Sequence, residues 1–533
     1  MKGNKSQLAL WLASMFLATS VIAQLPQTTP VVETNLGKVQ GFVHNDIDTF
    51  KGIRYGAAPV GDLRFMPPQK PEPIEALYNA IDYGAPAMQA AAGSLAFHRN
   101  DYSLRMQALM PTFSEMKIDN EDCLFLNVWT PEPDNNKRPV MVWFHGGGHA
   151  FGSGNWPLYN GENLAKRGDV VVVTVNHRLN VFGYLHLAEL LGKDYATSGN
   201  AGNLDMVLAL EWVRDNIANF GGDPSNVTIM GESGGGQKVS NLMAMPSAQG
   251  LFHKAIIQSG PGITVTPSKS ATATATALLA ELGINDAQKD LKTLQGLSAD
   301  TIMAAALKVG SGKFSPVLDG ISMPQHPFIM GAPKISADVP VLIGTNKDEL
   351  TFFQASEPWF GNLTEEQLEE YAANTRKGKA LLAEFRRIYP DYSPTHLRTA
   401  IDSAMFHYGS QMLAERKAAQ NAAKVYMYSL TWETPANNGK FRSAHTLEIP
   451  FMFDNVELSR ILVGPGDEPQ AMADQMSEAW IAFARTGNPN NKNIPEWPAF
   501  DAETRSTMMF NLPSKVENDP LSAIRKILSG KEG

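Results

Sequence analysis

The chain has 533 residues, 43% of them hydrophobic and 9% aromatic, enough to bury a large core, which excludes a fibrous, disordered or disulfide-stapled small protein. Lysine and arginine total 45 against 54 aspartates and glutamates; the net charge of −9 comes without a long run of either sign, so no basic face for a nucleic acid is legible. A single cysteine, Cys123, excludes an intrachain disulfide and a thiolate zinc cluster.

At the N-terminus, Lys2 and Lys5 precede an apolar run from Leu8 to Ala23 interrupted only by serine and threonine, and Val21 and Ala23 supply the small residues a signal peptidase reads. This pattern predicts a signal peptide over 1–23, cleaved between Ala23 and Gln24, and export to the periplasm or the medium. A membrane anchor is the competing reading, but the small-residue exit and the lack of a following basic flank favour cleavage. No other stretch approaches spanning length, so the mature chain, 24–533, is read as one catalytic domain with no membrane span.

Residues 31–56 alternate apolar and polar positions between turn formers and predict short antiparallel strands. "EDCLFLNVW" (121–129) reads as a further strand, with Cys123 a buried small residue. From Pro139 the pattern changes to short Val- and Ile-rich runs at 140–144, 170–175, 227–230, 255–258, 339–344 and 425–430, as in strands covered on both faces of a mainly parallel sheet. Between two of them Val207, Leu208 and Trp212, and Ala209, Val213 and Ile217, recur at helical spacing until Gly221 and Gly222 stop the helix. Strand, helix, strand implies right-handed crossovers and helices on both faces: an α/β fold. Segments 267–337 and 357–424 have helical periodicity and are read as insertions packed over one end of the sheet.

Gly231-Glu232-Ser233-Gly234-Gly235 matches G-x-S-x-G, a pentad that arises by accident roughly 0.2 times in a chain of this size. A strand before it and a helix-forming stretch after it give the context of a nucleophile elbow, where glycines permit a turn tight enough to lift a serine hydroxyl above the sheet. Serine needs a base. In this architecture the acid and then the histidine follow the serine, which leaves His396, His407 and His445 once the acid is sought after the run 339–344. His445, on a loop after the run 425–430, is favoured, since His396 and His407 fall in the second insertion. Asp348 and Glu349 both stand where the acid is needed, and spacing does not separate them. "WFHGGGHAFGSG" (143–154) opens from a strand into Gly146, Gly147 and Gly148, whose N–H groups can crowd round an oxyanion with that of Gly234.

These motifs resemble the type B carboxylesterases, the α/β-hydrolase branch that includes the cholinesterases. The resemblance runs through 50–71, 121–131, 139–154, 170–185, 200–236, 250–260, 342–350, 444–453 and 480–498, nearly the whole mature chain. It implies the α/β-hydrolase fold with short N-terminal antiparallel strands, a triad of Ser233, Glu349 and His445, and oxyanion donors Gly147, Gly148 and Gly234. It also implies a structural ion pair between Arg64 and Glu121. Departures are Gly234 where alanine is usual, which should make the backbone there more flexible, His149 for an aromatic beside the glycines, and Thr446 for the glycine after the histidine. Met88 stands where the partner of Cys123 would be, and nothing between Met88 and Asn120 resembles the tryptophan-bearing choline site.

The expected activity is therefore hydrolysis of small-molecule carboxylic esters through an acyl-serine. The alternatives are a non-catalytic binding or adhesion protein on the same scaffold, which the complete triad disfavours, and a hydrolase of amides, carbamates or lactones. No cofactor is implied: HExxH, G-x-x-x-x-G-K-[ST] and a G-x-G-x-x-G after a strand are all missing.

Overall fold

The Val- and Ile-rich runs assemble into one sheet of 11 strands. The structure, a computed structural model, describes residues 27–89 and 119–530; the expected signal peptide and most of the stretch compared with the choline site lie outside them. In chain order the strands are β1 (Phe42–His44), β2 (Ile47–Arg54), β3 (Phe125–Thr130), β4 (Arg138–Phe144), β5 (Val171–Val175) and β6 (Gly222–Glu232). They continue as β7 (Lys254–Gln258), β8 (Val341–Asn346), β9 (Val425–Leu430), β10 (Ser506–Phe510) and β11 (Lys515–Asn518). Their order across the sheet is β11-β10-β9-β8-β7-β6-β4-β5-β3-β2-β1. All pairs from β5 to β10 are parallel, and the flanking pairs are antiparallel.

Side chains alternate between two cores, as the two-residue strand period requires. Val140, Val142, Val227, Ile229 and Ile257 face one core, where Val207, Leu208 and Trp212 of helix α1 (Ala201–Asn216) pack. Met141, Trp143, Met230 and Ile256 face the other, against Trp480 and Phe483 of helix α4 (Glu468–Thr486). Between these in sequence come α2 (Gly234–Leu242), directly after β6, and α3 (Pro394–Ala418), the longest helix of the second insertion.

The strands expected from sequence form, with adjusted ends. Cys123 sits just ahead of β3 rather than within a strand, and is buried; Met88 lines the same small cavity. Helix α1 gives way to a 3₁₀ turn at Ile217–Phe220, Gly221 takes a left-handed conformation, and Gly222 already begins β6. Strands β10 and β11 went unread, because the Ser, Thr and Met of β10 carry little apolar signal.

The Arg64 to Glu121 pair forms as expected. Nη2 lies 2.5 Å from Oε2 and Nε 2.7 Å from Oε1, and Nη1 donates to the carbonyls of Gln295 and Leu297 at 2.8 Å. The Arg64 side chain is buried, so Glu121→Ala strands a guanidinium out of water. We expect it to cost about 3–5 kcal/mol of unfolding free energy, read as a lowered urea midpoint.

Candidate active site

Strand β6 ends at Glu232 and α2 begins at Gly234, so Ser233 alone makes the turn between them. Its backbone stands at φ 58° and ψ −122°, a conformation that costs a residue with a side chain about 1–3 kcal/mol and persists only where the surroundings enforce it. Here the Ser233 N–H donates to the Gln258 carbonyl on β7 at 2.8 Å. The end of β4 presses on the turn as well: a methyl on Gly235 would lie 2.1 Å from the Phe144 carbonyl oxygen, so only glycine fits.

His445 follows β9 on a loop and is 2% exposed. Its Nδ1 lies 2.5 Å from Glu349 Oε2, while Glu349 Oε1 accepts the Asn346 N–H at 2.8 Å. A carboxylate only accepts, so Nδ1 carries the proton and Nε2 of the neutral ring keeps its lone pair. Asp348 turns away, toward Lys347 Nζ at 3.7 Å, Arg442 Nε at 3.8 Å and the Tyr392 hydroxyl at 3.3 Å. The structure thus separates the two carboxylates that spacing left level.

Nε2 of His445 stands 3.0 Å from Glu232 Oε1 but makes no hydrogen bond among the described residues, to Ser233 or to any other group. Hydrogen bonds between catalytic groups are often long or misaligned until substrate binds. Phe353 at 5.3 Å, Phe406 at 5.6 Å and Phe352 at 5.9 Å ring the imidazole. Phe406 comes from α3 and therefore from the second insertion.

Ser233, His445 and Gly146, Gly147 and Gly148 line one cavity of about 480 Å³, walled by Phe151, Trp156, Phe314 and Phe353 among others. Phe314 belongs to the first insertion, so both insertions bring aromatic rings to the carboxyl end of the sheet, as expected for helices packed over that end. The Gly147 and Gly148 backbones have φ of 84° and 60°. Their N–H groups donate to no acceptor among the described residues. Gly234 opens α2, where an N–H has no partner within the helix.

Gly234 was expected to make the backbone more flexible, and the structure gives its missing methyl a different meaning. A methyl there would lie 2.4 Å from the Gly148 nitrogen and 2.3 Å from its carbonyl oxygen. The glycine turn has closed into the space an alanine would fill. His149 is half-buried with its ring 5.2 Å from that of Tyr184, and desolvation pushes its pKa down to about 3, so it is a neutral wall. Thr446 holds φ 75°, an outlier for a β-branched residue and the reason a glycine suits that position.

Sequence reasoning missed two acids. Glu232, the unspecified x of the pentad, is buried and accepts the Thr446 N–H; burial pushes its pKa well above 4.5, against the pull of His445. Glu448, three residues past His445, accepts the Asn346 side-chain amide at 2.5 Å, and burial with the nearby Glu349 charge carries it up to about 7. Burial alone would lower the His445 pKa, but the charges of Glu232 and Glu349 outweigh it and raise it to about 9. Only the position of each acid beside a motif residue could have drawn attention to it.

Among the remaining candidates, His407 is held by the Thr345 hydroxyl at 2.5 Å and the Lys347 carbonyl at 3.3 Å, and His396 by Ser393 at 3.0 Å. Neither lines the cavity of Ser233. Among the described residues no group of His, Cys, Asp and Glu is placed to hold a metal ion, and no helix is long and apolar enough to cross a membrane.

The profile described as "Carboxylesterase family" matches residues 28–523. The para-nitrobenzyl esterase of Bacillus subtilis is 37% identical over 95% of this chain and 100% of its own length. The phenmedipham hydrolase of Pseudarthrobacter oxydans is 32% identical over 90% of this chain and 95% of its own. Among solved structures, a Geobacillus stearothermophilus carboxylesterase superposes with a TM-score of 0.80 at 36% identity, covering 93% of this chain and 99% of that one. An esterase from anaerobic Clostridium hathewayi that can hydrolyse aliphatic aromatic polyesters gives 0.79 at 34% identity, over 95% and 99%. Matched along nearly its whole length by the family profile and by esterases of the same fold, the chain belongs to the carboxylesterase family and is a carboxylic-ester hydrolase of the α/β-hydrolase fold.

Proposed function

We propose that Ser233, His445 and Glu349 form the catalytic triad and that Gly147, Gly148 and Gly234 form the oxyanion hole. The observation that carries this reading is the geometry of His445, its Nδ1 proton held by Glu349 and its Nε2 free of any hydrogen bond among the described residues, in the same cavity as Ser233. As Ser233 Oγ attacks the ester carbonyl, Nε2 takes its proton, and the carbonyl oxygen becomes negative against the free N–H groups. Nε2 then gives that proton to the leaving alkoxide, and the alcohol departs from the acyl-serine. Water, deprotonated by the same nitrogen, attacks the acyl carbon and releases the acid and the free serine. The aromatic walls favour small esters with an aryl group on one side. We further propose that the chain is exported after cleavage between Ala23 and Gln24.

The test is rapid-mixing hydrolysis of a short-chain p-nitrophenyl ester. A burst of p-nitrophenol equal to the number of sites, with the acyl group mapped to the peptide holding Ser233, is the expected result; a linear release with no acylated serine contradicts it.

The acids around His445 also predict a pH effect. The imidazole must be neutral to act as base, so activity is lost as pH falls through its pKa, and a raised pKa places that loss at higher pH. Glu232→Gln removes one of the charges that raise it. The acid limb of kcat/KM should shift toward lower pH by about one unit; a limb that stays in place or moves up contradicts the role given to Glu232.

A further inference from the structure

Helix α2 buries a charged side chain that the proposed reaction does not use. Lys238 lies one turn beyond Ser233 and is 0% exposed. No carboxylate pairs with it among the described residues; Nζ donates to the carbonyl oxygen of His145 at 2.8 Å. An apolar side chain would fill this place without the cost of burying an amine, so the bond to His145 calls for a reason.

That reason lies in the peptide planes that follow. The His145 carbonyl, taken by Lys238, belongs to the peptide that leads into Gly146. His145 Nδ1 then donates to the Gly146 carbonyl at 2.9 Å, and this carbonyl shares a planar trans peptide with the Gly147 N–H, which must point the opposite way. The Gly147 carbonyl is taken in turn by the N–H groups of Ala150 at 3.3 Å and Phe151 at 3.2 Å, which orients the Gly148 N–H by the same rule. Each peptide from His145 to Gly148 is thus pinned by its oxygen, and the first pin is Lys238.

The surroundings keep the series working. For His145 to donate from Nδ1 it must hold its proton there, and its ring stacks on that of His177 at 4.8 Å and 6°. Burial, with the nearby Lys238 charge, pushes the pKa of His145, His149 and His177 far below 6.5, so all three rings stay neutral. Burial lowers Lys238 itself to about 7, and the amine remains a donor in either charge state.

We propose that Lys238 is a positioning residue of the oxyanion hole, acting through His145 on the amides of Gly147 and Gly148; this rests on the catalytic reading above. The test uses the full chain and two variants, with active sites counted by a fluorophosphonate so that rates refer to intact sites. Lys238→Met removes the donor and should lower kcat for p-nitrophenyl acetate by about 30-fold or more, with KM within about threefold. Lys238→Gln keeps a shorter, uncharged donor and should lose about three- to tenfold in kcat, recovering part of the loss. A trifluoromethyl ketone, whose adduct places an oxyanion in the hole, should weaken in step with kcat. Full kcat in titratable Lys238→Met overturns the proposal. If Lys238→Met gives no titratable sites, Lys238→Gln decides: lower kcat at unchanged KM supports the proposal, and unchanged kcat overturns it. Failure of the catalytic reading would look different, since the parent chain itself would then take no label at Ser233.

Discussion

Ser233→Ala is expected to lower turnover of a short-chain aryl ester by about 10⁴-fold or more and to abolish labelling by a fluorophosphonate. The strained turn presents the hydroxyl to the cavity that His445 also lines, and the ring, once neutral, offers Nε2 as the acceptor of its proton. Stability should hardly change, because alanine inherits the same backbone strain and leaves the bonds of the turn intact. A variant that keeps more than about a hundredth of the parent activity would leave the serine no essential part.

Glu349→Gln should cost about 10⁴-fold in kcat, and the cause can be traced atom by atom. Glu349 uses one oxygen for the Asn346 N–H and the other for His445 Nδ1. A glutamine has a single oxygen, and the Asn346 N–H claims it, which turns an NH₂ toward the imidazole. The ring must then present a lone pair at Nδ1 and carry its proton on Nε2, where it no longer accepts one from serine. Asp348→Asn is the control: its partners are Lys347, Arg442 and Tyr392, so it should lose stability while kcat stays within about fivefold. The reverse pattern, with Asp348→Asn inactive and Glu349→Gln active, would exchange the two roles.

The sequence made the sheet legible because its parallel strands are covered on both faces and so read as unbroken apolar runs. Where a buried strand carries polar residues the signal fails: β10 is covered, but Ser506 and Thr507 break the apolar run and gave no warning. Ser233 and the glycines could be found because a tight turn and close backbone approach leave residue types that little else explains. The choice between Asp348 and Glu349 could not be made from spacing, since adjacent residues on a loop differ only in where they point. Glu232, Glu448 and Lys238 were invisible for a related reason. A charged residue within an apolar stretch or a helix reads as a solvated face, and burial by distant segments is what turns it into a functional group.

The gap at 234 shows how far a resemblance can carry. It flagged the missing alanine, but only the packing shows Gly148 lying where the methyl would be. Likewise Thr446 was noted as a departure, and its left-handed backbone now marks it as a strained position beside His445.

The most direct measurement is a crystal structure of the protein inhibited by a phosphonate ester. The account predicts phosphorus bonded to Ser233 Oγ, one phosphonyl oxygen about 2.7–3.1 Å from the nitrogens of Gly147, Gly148 and Gly234, and His445 Nε2 turned from Glu232 toward the serine oxygen. An adduct whose oxygen points away from these amides, or with His445 still against Glu232 and out of reach of Ser233, would contradict it.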